Sequence, residues 1–188
     1  MAVRLASAAY VLALLCFGGC NATGAADGAY NHRFSIDAEA GSIAGIAVGM
    51  TEDQVRKLGL PYDVRSENWE GDEYKIYEVH LSATVHLKCV FDLSNSLARI
   101  LISSSAVKDQ YGLSVGSQLA ELERAYPSGK FVYGEADGSY VNFLTGGRLI
   151  YYFNPEDVSA SCFDNGPDCK VDDRIRATTI AIGAARAR

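Results

Sequence analysis

A short glycine-containing string occurs twice in the chain, and this recurrence constrains the fold more than any other feature of the sequence. Gly45-Ile46-Ala47-Val48-Gly49-Met50 returns as Gly112-Leu113-Ser114-Val115-Gly116-Ser117, and an apolar-periodic stretch follows each copy. Recurrence of this kind is what an internal duplication leaves in a sequence. We therefore predict a first α+β repeat at residues 32–108 and a second at residues 109–183.

Each copy of the string is followed by the start signal of a helix. Thr51 and Gln54 have the spacing of a capping box, in which each side chain accepts from the other residue's backbone N–H. The second copy offers Ser117 as the cap of a helix that carries Leu119 and Leu122. Turn signals end both stretches, Gly59-Leu60-Pro61 in the first and Pro127-Ser128-Gly129 in the second.

Strands are predicted after each helix. Val85 to Leu93 alternates apolar and polar residues, which is typical of a strand with one buried face, and residues 74–81 would be its hairpin partner. Ala98, Ile100 and Ile102 would lie on the buried face of the next strand. In the second copy, residues 140–144 and 148–153 flank Gly146-Gly147, which predicts another hairpin.

Residues 175–182 read as the last strand, preceded by an insertion that carries two cysteines. The expected fold class is therefore α+β, with two tandem repeats of one helix and about three antiparallel strands. The helices would lie on one side of the sheet.

The N-terminus has the pattern of an export signal. Arg4 precedes an apolar run from Leu5 to Phe17, which is about 13 residues and too short for the roughly 20 that span a bilayer. Phe17-Gly18-Gly19-Cys20 then resembles a lipobox, which predicts a signal peptide at residues 1–19, lipidation at Cys20 and the periplasmic face of the outer membrane. Cleavage near Ala25 would instead release a soluble periplasmic protein. Residues 20–31 would form a flexible tether and residues 184–188 a tail.

Charge and cysteine usage exclude some classes of function. The chain has 17 Lys and Arg against 23 Asp and Glu, a net charge of −6, which disfavours a nucleic-acid partner. Cys162 and Cys169 flank Asn165-Gly166-Pro167, and in an oxidising compartment a disulfide between them is the expected pairing. Zinc is the rival interpretation, but no histidine lies nearby to complete its ligand set.

The stretch Gly49-Met50-Thr51-Glu52-Asp53-Gln54-Val55, followed by Leu58-Gly59-Leu60-Pro61, resembles the opening of the SmpA/OmlA (BamE-like) lipoprotein family. Trp69, Tyr74 and Tyr77 stand where that family often has aromatic strand residues. Two such units in tandem are similar to the beta-lactamase inhibitor protein, whose joined sheets form a protein-binding surface. The resemblance implies a small antiparallel sheet and a partner-binding role.

Three motifs suggest chemistry, and none predicts a catalytic site. Gly112 to Gly116 spells the G-x-S-x-G of a hydrolase, but its Ser114 corresponds to Ala47 in the first copy and no histidine follows it. Cys89 lies in the apolar alternation of a strand, which favours a buried thiol. Asp164, Asp168, Asp172 and Asp173 do not fit the spacing of a calcium loop. We therefore predict no enzyme activity, no metal and no cofactor.

The remaining candidate site is a surface on the sheet face opposite the core residues. It collects basic, aromatic and amide side chains, the residue types that are enriched in protein interfaces. The sequence thus predicts an envelope protein that binds another protein, as an assembly factor or an inhibitor; the alternative is a carrier of a small or lipidic ligand between helices and sheet. The predicted partner-binding residues are His86, Lys88, Arg99, Tyr140, Asn142, Arg148, Tyr152 and Arg176.

Overall fold

The computed structural model describes residues 34–69, 71–136, 138–165 and 170–184. They belong to one compact unit, Asn31–Arg188. Its main feature is a single antiparallel sheet of eight strands in the order β4-β5-β6-β7-β11-β10-β9-β8. The strands are β4 Tyr62–Trp69, β5 Asp72–His80, β6 His86–Phe91, β7 Leu97–Ile102, β8 Lys130–Ala136, β9 Gly138–Leu144, β10 Leu149–Phe153 and β11 Ala177–Gly183.

Short elements complete the unit. A small antiparallel sheet in the order β1-β2-β3 precedes the first helix, and a 3-10 turn over Pro155–Asp157 follows β10. The described helices are only five to seven residues long. Their bounds and those of the small sheet are β1 Ile36–Asp37, β2 Ser42–Ile43, β3 Ile46–Ala47, α1 Glu52–Arg56, α2 Leu119–Ala125 and α3 Ala160–Asn165.

The repeated glycine string forms the same hydrogen bonds in both places. Gly49 and Gly116 have φ values of 93° and 91°, a region that glycine occupies without steric cost. The N–H of Gly49 donates to Leu97 at the start of β7, and the N–H of Gly116 donates to Ala177 at the start of β11. Each turn therefore attaches the entry of a helix to one of the two central strands.

The capping box of the first helix is confirmed, and the predicted cap of the second is wrong by one residue. The Thr51 N–H donates to Gln54 Oε1 at 2.8 Å, and the Gln54 N–H donates to Thr51 Oγ1 at 3.4 Å. In α2 the cap is Gln118, whose N–H donates to the Glu121 carboxylate at 2.7 Å. Ser117 Oγ instead accepts from the Ser114 N–H within the turn.

All three helices and the small sheet pack on the same face of the large sheet. Val55 of α1, Leu122 of α2 and Cys162 of α3 join Ile43 of the small sheet in one hydrophobic cluster with the large sheet. Tyr77 is among the sheet residues there, and it is 0% exposed. Most buried apolar side chains of the described residues therefore lie between this face and its cover.

The expected fold class, two tandem helix-plus-sheet repeats, is wrong. Strands make up 46% of the structure and helices 13%, and the strands join into one sheet rather than two modules. The pairing of β7 with β11 is what connects them, with Ile102 opposite Ile180. The interpretation also missed the two edge strands β4 and β8, because it counted about three strands after each helix.

The predicted hairpins are confirmed, while two core assignments fail. β5 pairs with β6, with Tyr77 opposite Cys89, and β9 pairs with β10 across Gly146. Leu93 was expected on the buried face but is 72% exposed in the turn after β6. A register shift between Val90 and Phe91 brings Leu97 opposite Phe91, so that Leu97 is buried and Ala98 only partly so.

Several predictions fall on residues outside the described ranges. These are the signal peptide at 1–19, lipidation at Cys20, the tether at 20–31 and nearly all of the tail at 184–188. Cys162 is buried in α3, but Cys169 is not described, so the disulfide stays a prediction. Within the described part of the chain, no helix has the length and apolar character needed to cross a membrane.

Candidate functional site

The candidate site lies on the face of the large sheet that no described helix covers, which we call the open face. Because side chains alternate along a strand, the neighbours of the core residues point to this face. Residues that pair across neighbouring strands share a face, and on the open face Lys88 lies opposite Leu101, which in turn lies opposite Ala181. Ile76 and Val90, which pair across β5 and β6, are buried but belong outside the main hydrophobic cluster.

The hairpin of β4 and β5 folds back over the open face. Trp69 pairs with Asp72 at the tip of this hairpin, whereas Lys88 pairs with Glu78, six residues further along β5. In a flat sheet those positions would be about 20 Å apart along the strand. The Lys88 ammonium nevertheless lies 4.9 Å from the centre of the Trp69 ring. The tip must therefore curl back and carry Trp69 over the middle of the sheet.

This curvature creates a depression on the open face. Its walls come from strands that are distant in the sheet order: β4 and β10 are five strands apart, or about 24 Å in a flat sheet. The depression has a volume of about 470 Å³ and is open to solvent. We call it the open-face depression, and its lining residues are Trp69, Arg99, Leu101, Tyr152 and Thr179.

Two cations and two carboxylates on the hairpin side of the depression pair with one another. Arg65 contacts Glu67 at 3.0 Å and Glu78 at 2.9 Å, and Lys88 donates to Glu67 at 2.6 Å. These hydrogen bonds lower the pKa of Glu67, chiefly through Lys88, so its carboxylate stays ionised. Lys88 also stacks against Trp69 and holds the indole in place. This side of the open face therefore carries a network of paired charges, formed by Arg65, Lys88, Glu67 and Glu78.

Arg99 differs from the other cations of this face. Its side chain is exposed on β7, and among the described residues it makes neither an ion pair nor a hydrogen bond. The groups beside it in the depression are the Leu101 side chain, the Thr179 side chain and two aromatic rings. Within the part of the chain that the structure describes, the depression therefore combines an apolar floor with one guanidinium whose donors are available to a ligand.

Of the eight residues predicted for partner binding, the structure brings four to the depression or its border. Arg99 and Tyr152 line it directly, and Lys88 supports Trp69 from below. Asn142 lies directly opposite Tyr152 in the neighbouring strand, and its Oδ1 is buried without a hydrogen-bond partner in the described structure. It borders the depression on the β9 side.

Two predicted residues do not reach this site. Arg148 folds onto the turn between β1 and β2, where its Nε donates to the Glu39 carbonyl at 3.2 Å and its Cδ packs on Gly41. A Cβ at Gly41 would lie 2.6 Å from that Cδ. Arg176 donates to the Gly116 carbonyl at 2.6 Å, beside the entry of α2. Both arginines therefore hold turns of the covered side together.

The last two predicted residues lie further out on the open face. His86 makes an edge-on ring contact with His80, with centroids 4.5 Å apart, and its Nδ1 is buried without a partner among the described residues. Tyr140 packs across Gly134 in the edge strand, so closely that a Cβ there would lie 2.7 Å from its hydroxyl. Tyr140 therefore fills the space that a glycine leaves.

The motifs that suggested chemistry have structural roles in the described residues. Ser114 is 8% exposed, and its hydroxyl donates to the Val115 carbonyl at 3.2 Å inside the turn. Cys89 is fully buried, as predicted, and desolvation raises the pKa of its thiol to about 12. Asp172 binds Arg174, whose hydrogen bonds lower the pKa of the carboxyl to about 2. The side chains of Asp164 and Asp168 lie outside the described residues.

Three residues that line the depression were not predicted from the sequence: Trp69, Leu101 and Thr179. Leu101 carried a usable signal, since Ile100-Leu101-Ile102 is apolar on both faces of its strand and one of those faces is not the core. Trp69 was noted only as an aromatic strand residue. Its place in the site depends on the curl of the hairpin, and nothing in the sequence pattern records this curl.

Comparison with known proteins identifies a relative in fold only. No family model matches the chain, and no curated protein matches it either. The chain is similar to a solved structure described as the uncharacterized protein YfeY from Escherichia coli, with a TM-score of 0.53 and 16% identity. The match covers 80% of this chain and 99% of that one. The likeness concerns the fold, and the resemblance to the SmpA/OmlA family stays a prediction.

Proposed function

We propose that this chain is a cell-envelope lipoprotein that binds another protein through the open-face depression and does not catalyse a reaction. The observation that carries the proposal is the depression itself: two aromatic rings, a leucine and an exposed arginine on a sheet face that no described helix covers. Aromatic residues and arginine dominate the binding energy of protein interfaces. The envelope location rests on the N-terminal sequence, with its short apolar run and Cys20.

The shape of the site favours a protein partner over an enclosed small ligand. The alternative function, a carrier between helices and sheet, requires a large apolar cavity there. In that layer Val55, Leu119 and Leu122 are 0–3% exposed and form one cluster with sheet residues such as Leu87. The open-face depression is instead accessible from solvent, as a surface for an inserted side chain would be.

The proposal is tested by site-directed photo-crosslinking in intact cells of the source organism. Tyr152 is replaced by p-benzoylphenylalanine, and the matched control carries the same replacement at Tyr111, which is 57% exposed but lies in a loop outside the open face. We expect a discrete protein adduct from position 152 and none from position 111. Adding Thr179→Lys should abolish the adduct, since a lysine there would fill the depression.

Equal adducts from both positions, or none from position 152, would remove the open-face depression as the binding site. Thermal denaturation of each variant shows whether it is folded. The Thr179→Lys variant keeps the strand and changes only a partly exposed side chain, so its melting temperature should stay close to that of the parent.

A further inference from the structure

We infer that the open-face depression selects a protein segment that places a carboxylate next to an apolar side chain, with Arg99 as the residue that reads the carboxylate. This inference rests on the protein-binding function proposed above and names the chemistry of the partner. It follows from a difference among the cations on the open face: Arg65 and Lys88 pair with carboxylates, and Arg99 pairs with none of the described residues.

The cations of the open face differ in whether a carboxylate of this chain pairs with them. Arg65 and Lys88, the two cations on the hairpin side, are both paired with carboxylates at 2.6–3.0 Å. Arg99 has no carboxylate partner in the described structure, although the chain is acidic overall with a net charge of −6. A guanidinium left unpaired on such a protein is complementary to an anionic group from outside.

Apolar and aromatic side chains surround the Arg99 guanidinium in the depression. Trp69, Leu101 and Tyr152 line the same depression, so a ligand that reaches Arg99 also contacts apolar surface. The apolar groups reduce access of water to the ion pair, which strengthens it relative to a pair on an open surface. A bare anion would leave the two rings and the leucine uncovered, and a purely apolar ligand would leave Arg99 without a partner.

Two charged groups beside the Trp69 ring, Glu67 and Lys88, are already paired with each other. Glu67 is held by Lys88 and Arg65. Lys88 is held between Glu67 and the Trp69 ring. Arg99 is therefore the cation of the depression whose side-chain donors bind no other described residue.

The test measures binding of two blocked peptides to the full chain. The first is acetyl-Ala-Leu-Phe-Asp-Leu-Ala-amide, and the second has Asn in place of Asp, so that they differ only in one charge. Trp69 is the single tryptophan of the chain and lies in the depression, so its fluorescence reports binding at this site. We expect the Asp peptide to bind about tenfold more tightly than the Asn peptide, as one charge-assisted hydrogen bond would provide.

Three variants decide whether Arg99 causes this preference. Arg99→Gln should lower the affinity for the Asp peptide to that for the Asn peptide, and Arg99→Lys should retain part of the preference because it keeps the charge but not the planar donor pair. The matched control is Arg124→Gln, an exposed arginine of α2 on the covered side, which should leave both affinities unchanged. Raising the salt concentration should reduce the Asp preference.

Equal binding of the two peptides, or an unchanged preference for the Asp peptide in Arg99→Gln, would overturn the inference. The proposed protein-binding function would still be decided separately, by the crosslinking result at position 152. Binding of neither peptide, together with Arg99-dependent binding to phosphatidylglycerol vesicles, would also overturn it, because the recognised anion would then belong to a lipid.

Discussion

The two ends of the large sheet each anchor a buried tyrosine hydroxyl to a carboxylate, but they do so in opposite electrostatic settings. Tyr77 of β5 donates to Glu52 at 2.7 Å, and Glu52 also binds Arg56 and Lys75 near the surface. Tyr151 of β10 donates to Asp109 at 2.8 Å, and Asp109 is 4% exposed. The first carboxylate is thus balanced by cations, whereas the second depends on neutral donors.

The neutral donors of Asp109 account for its burial. Its Oδ1 accepts from the backbone N–H groups of Tyr111 at 2.9 Å and Leu113 at 2.8 Å. Its Oδ2 accepts from the hydroxyls of Tyr126 and Tyr151. Desolvation and this acid raise the pKa of both hydroxyls, so they remain protonated donors throughout the physiological range. Four hydrogen bonds replace the hydration that a buried carboxylate loses.

The hydroxyl of a core tyrosine therefore finds its carboxylate partner in two settings that differ in robustness. Glu52 is near solvent, so water can replace a lost contact. Asp109 is only 4% exposed, so a lost donor or acceptor there leaves a buried group unsatisfied. The second half of the sheet should therefore be the more sensitive to single substitutions.

The largest expected effect comes from removing the buried acid. Asp109→Ala would leave two tyrosine hydroxyls and two backbone N–H groups without their acceptor, which should lower the free energy of unfolding by about 3–5 kcal/mol. Urea denaturation followed by circular dichroism measures the change. Asp109→Asn is the control: it retains an oxygen for the two N–H groups and an amide that donates to a hydroxyl, and it should cost about 1–2 kcal/mol. A loss below about 1 kcal/mol for Asp109→Ala would contradict the assigned role.

A smaller effect is expected when the two hydroxyls are removed separately. Tyr151→Phe withdraws one of the four donors from buried Asp109 and should cost about 1–2 kcal/mol. Tyr77→Phe should cost about half as much, because Glu52 keeps both of its cations. Each substitution keeps the ring and its packing, so urea denaturation of the pair compares the hydroxyls alone. Equal losses would show that the two carboxylate settings do not differ in robustness.

The sequence predicted the local elements of this fold well where a signal lies within a few residues. The capping box at Thr51 and Gln54 is confirmed, and so are the hairpins around Gly146 and between β5 and β6. Each of these depends on short-range hydrogen bonding or on a simple alternation. Burial of Cys89 was predicted for the same reason.

The edge strands were missed because a strand at the edge of a sheet shows a weaker alternation of apolar and polar residues. In β4, Arg65, Ser66 and Asn68 are exposed, and even Val64, which points toward the covered side, is 52% exposed. An edge strand has fewer neighbours to bury its side chains, so its sequence lacks the regular apolar face of a central strand. Without these strands, the sequence was divided into two modules of three strands.

The depression could not be predicted because strand order creates it. Arg99 lies on β7 and Thr179 on β11, and these strands are adjacent only because the two halves meet there. Trp69 reaches the same place through the curl of its hairpin. Such contacts between residues far apart in the chain leave no periodic pattern in a single sequence.

The smallest expected effect concerns pH and the Glu52 side of the comparison. The hydrogen bond from Lys75 is the largest cause that lowers the pKa of Glu52 from its ordinary 4.5, against the opposing effect of burial. Because the folded pKa is the lower one, this group stabilises the fold above pH 4.5, and that contribution is lost as the pH falls toward the folded value. Glu52→Gln should therefore lose less stability on acidification than the parent does. Asp53→Asn, at an exposed position of the same helical turn, is the control and should follow the parent. If Glu52→Gln also follows the parent from pH 7 to pH 3 in urea denaturation, the ion network does not stabilise this end of the sheet.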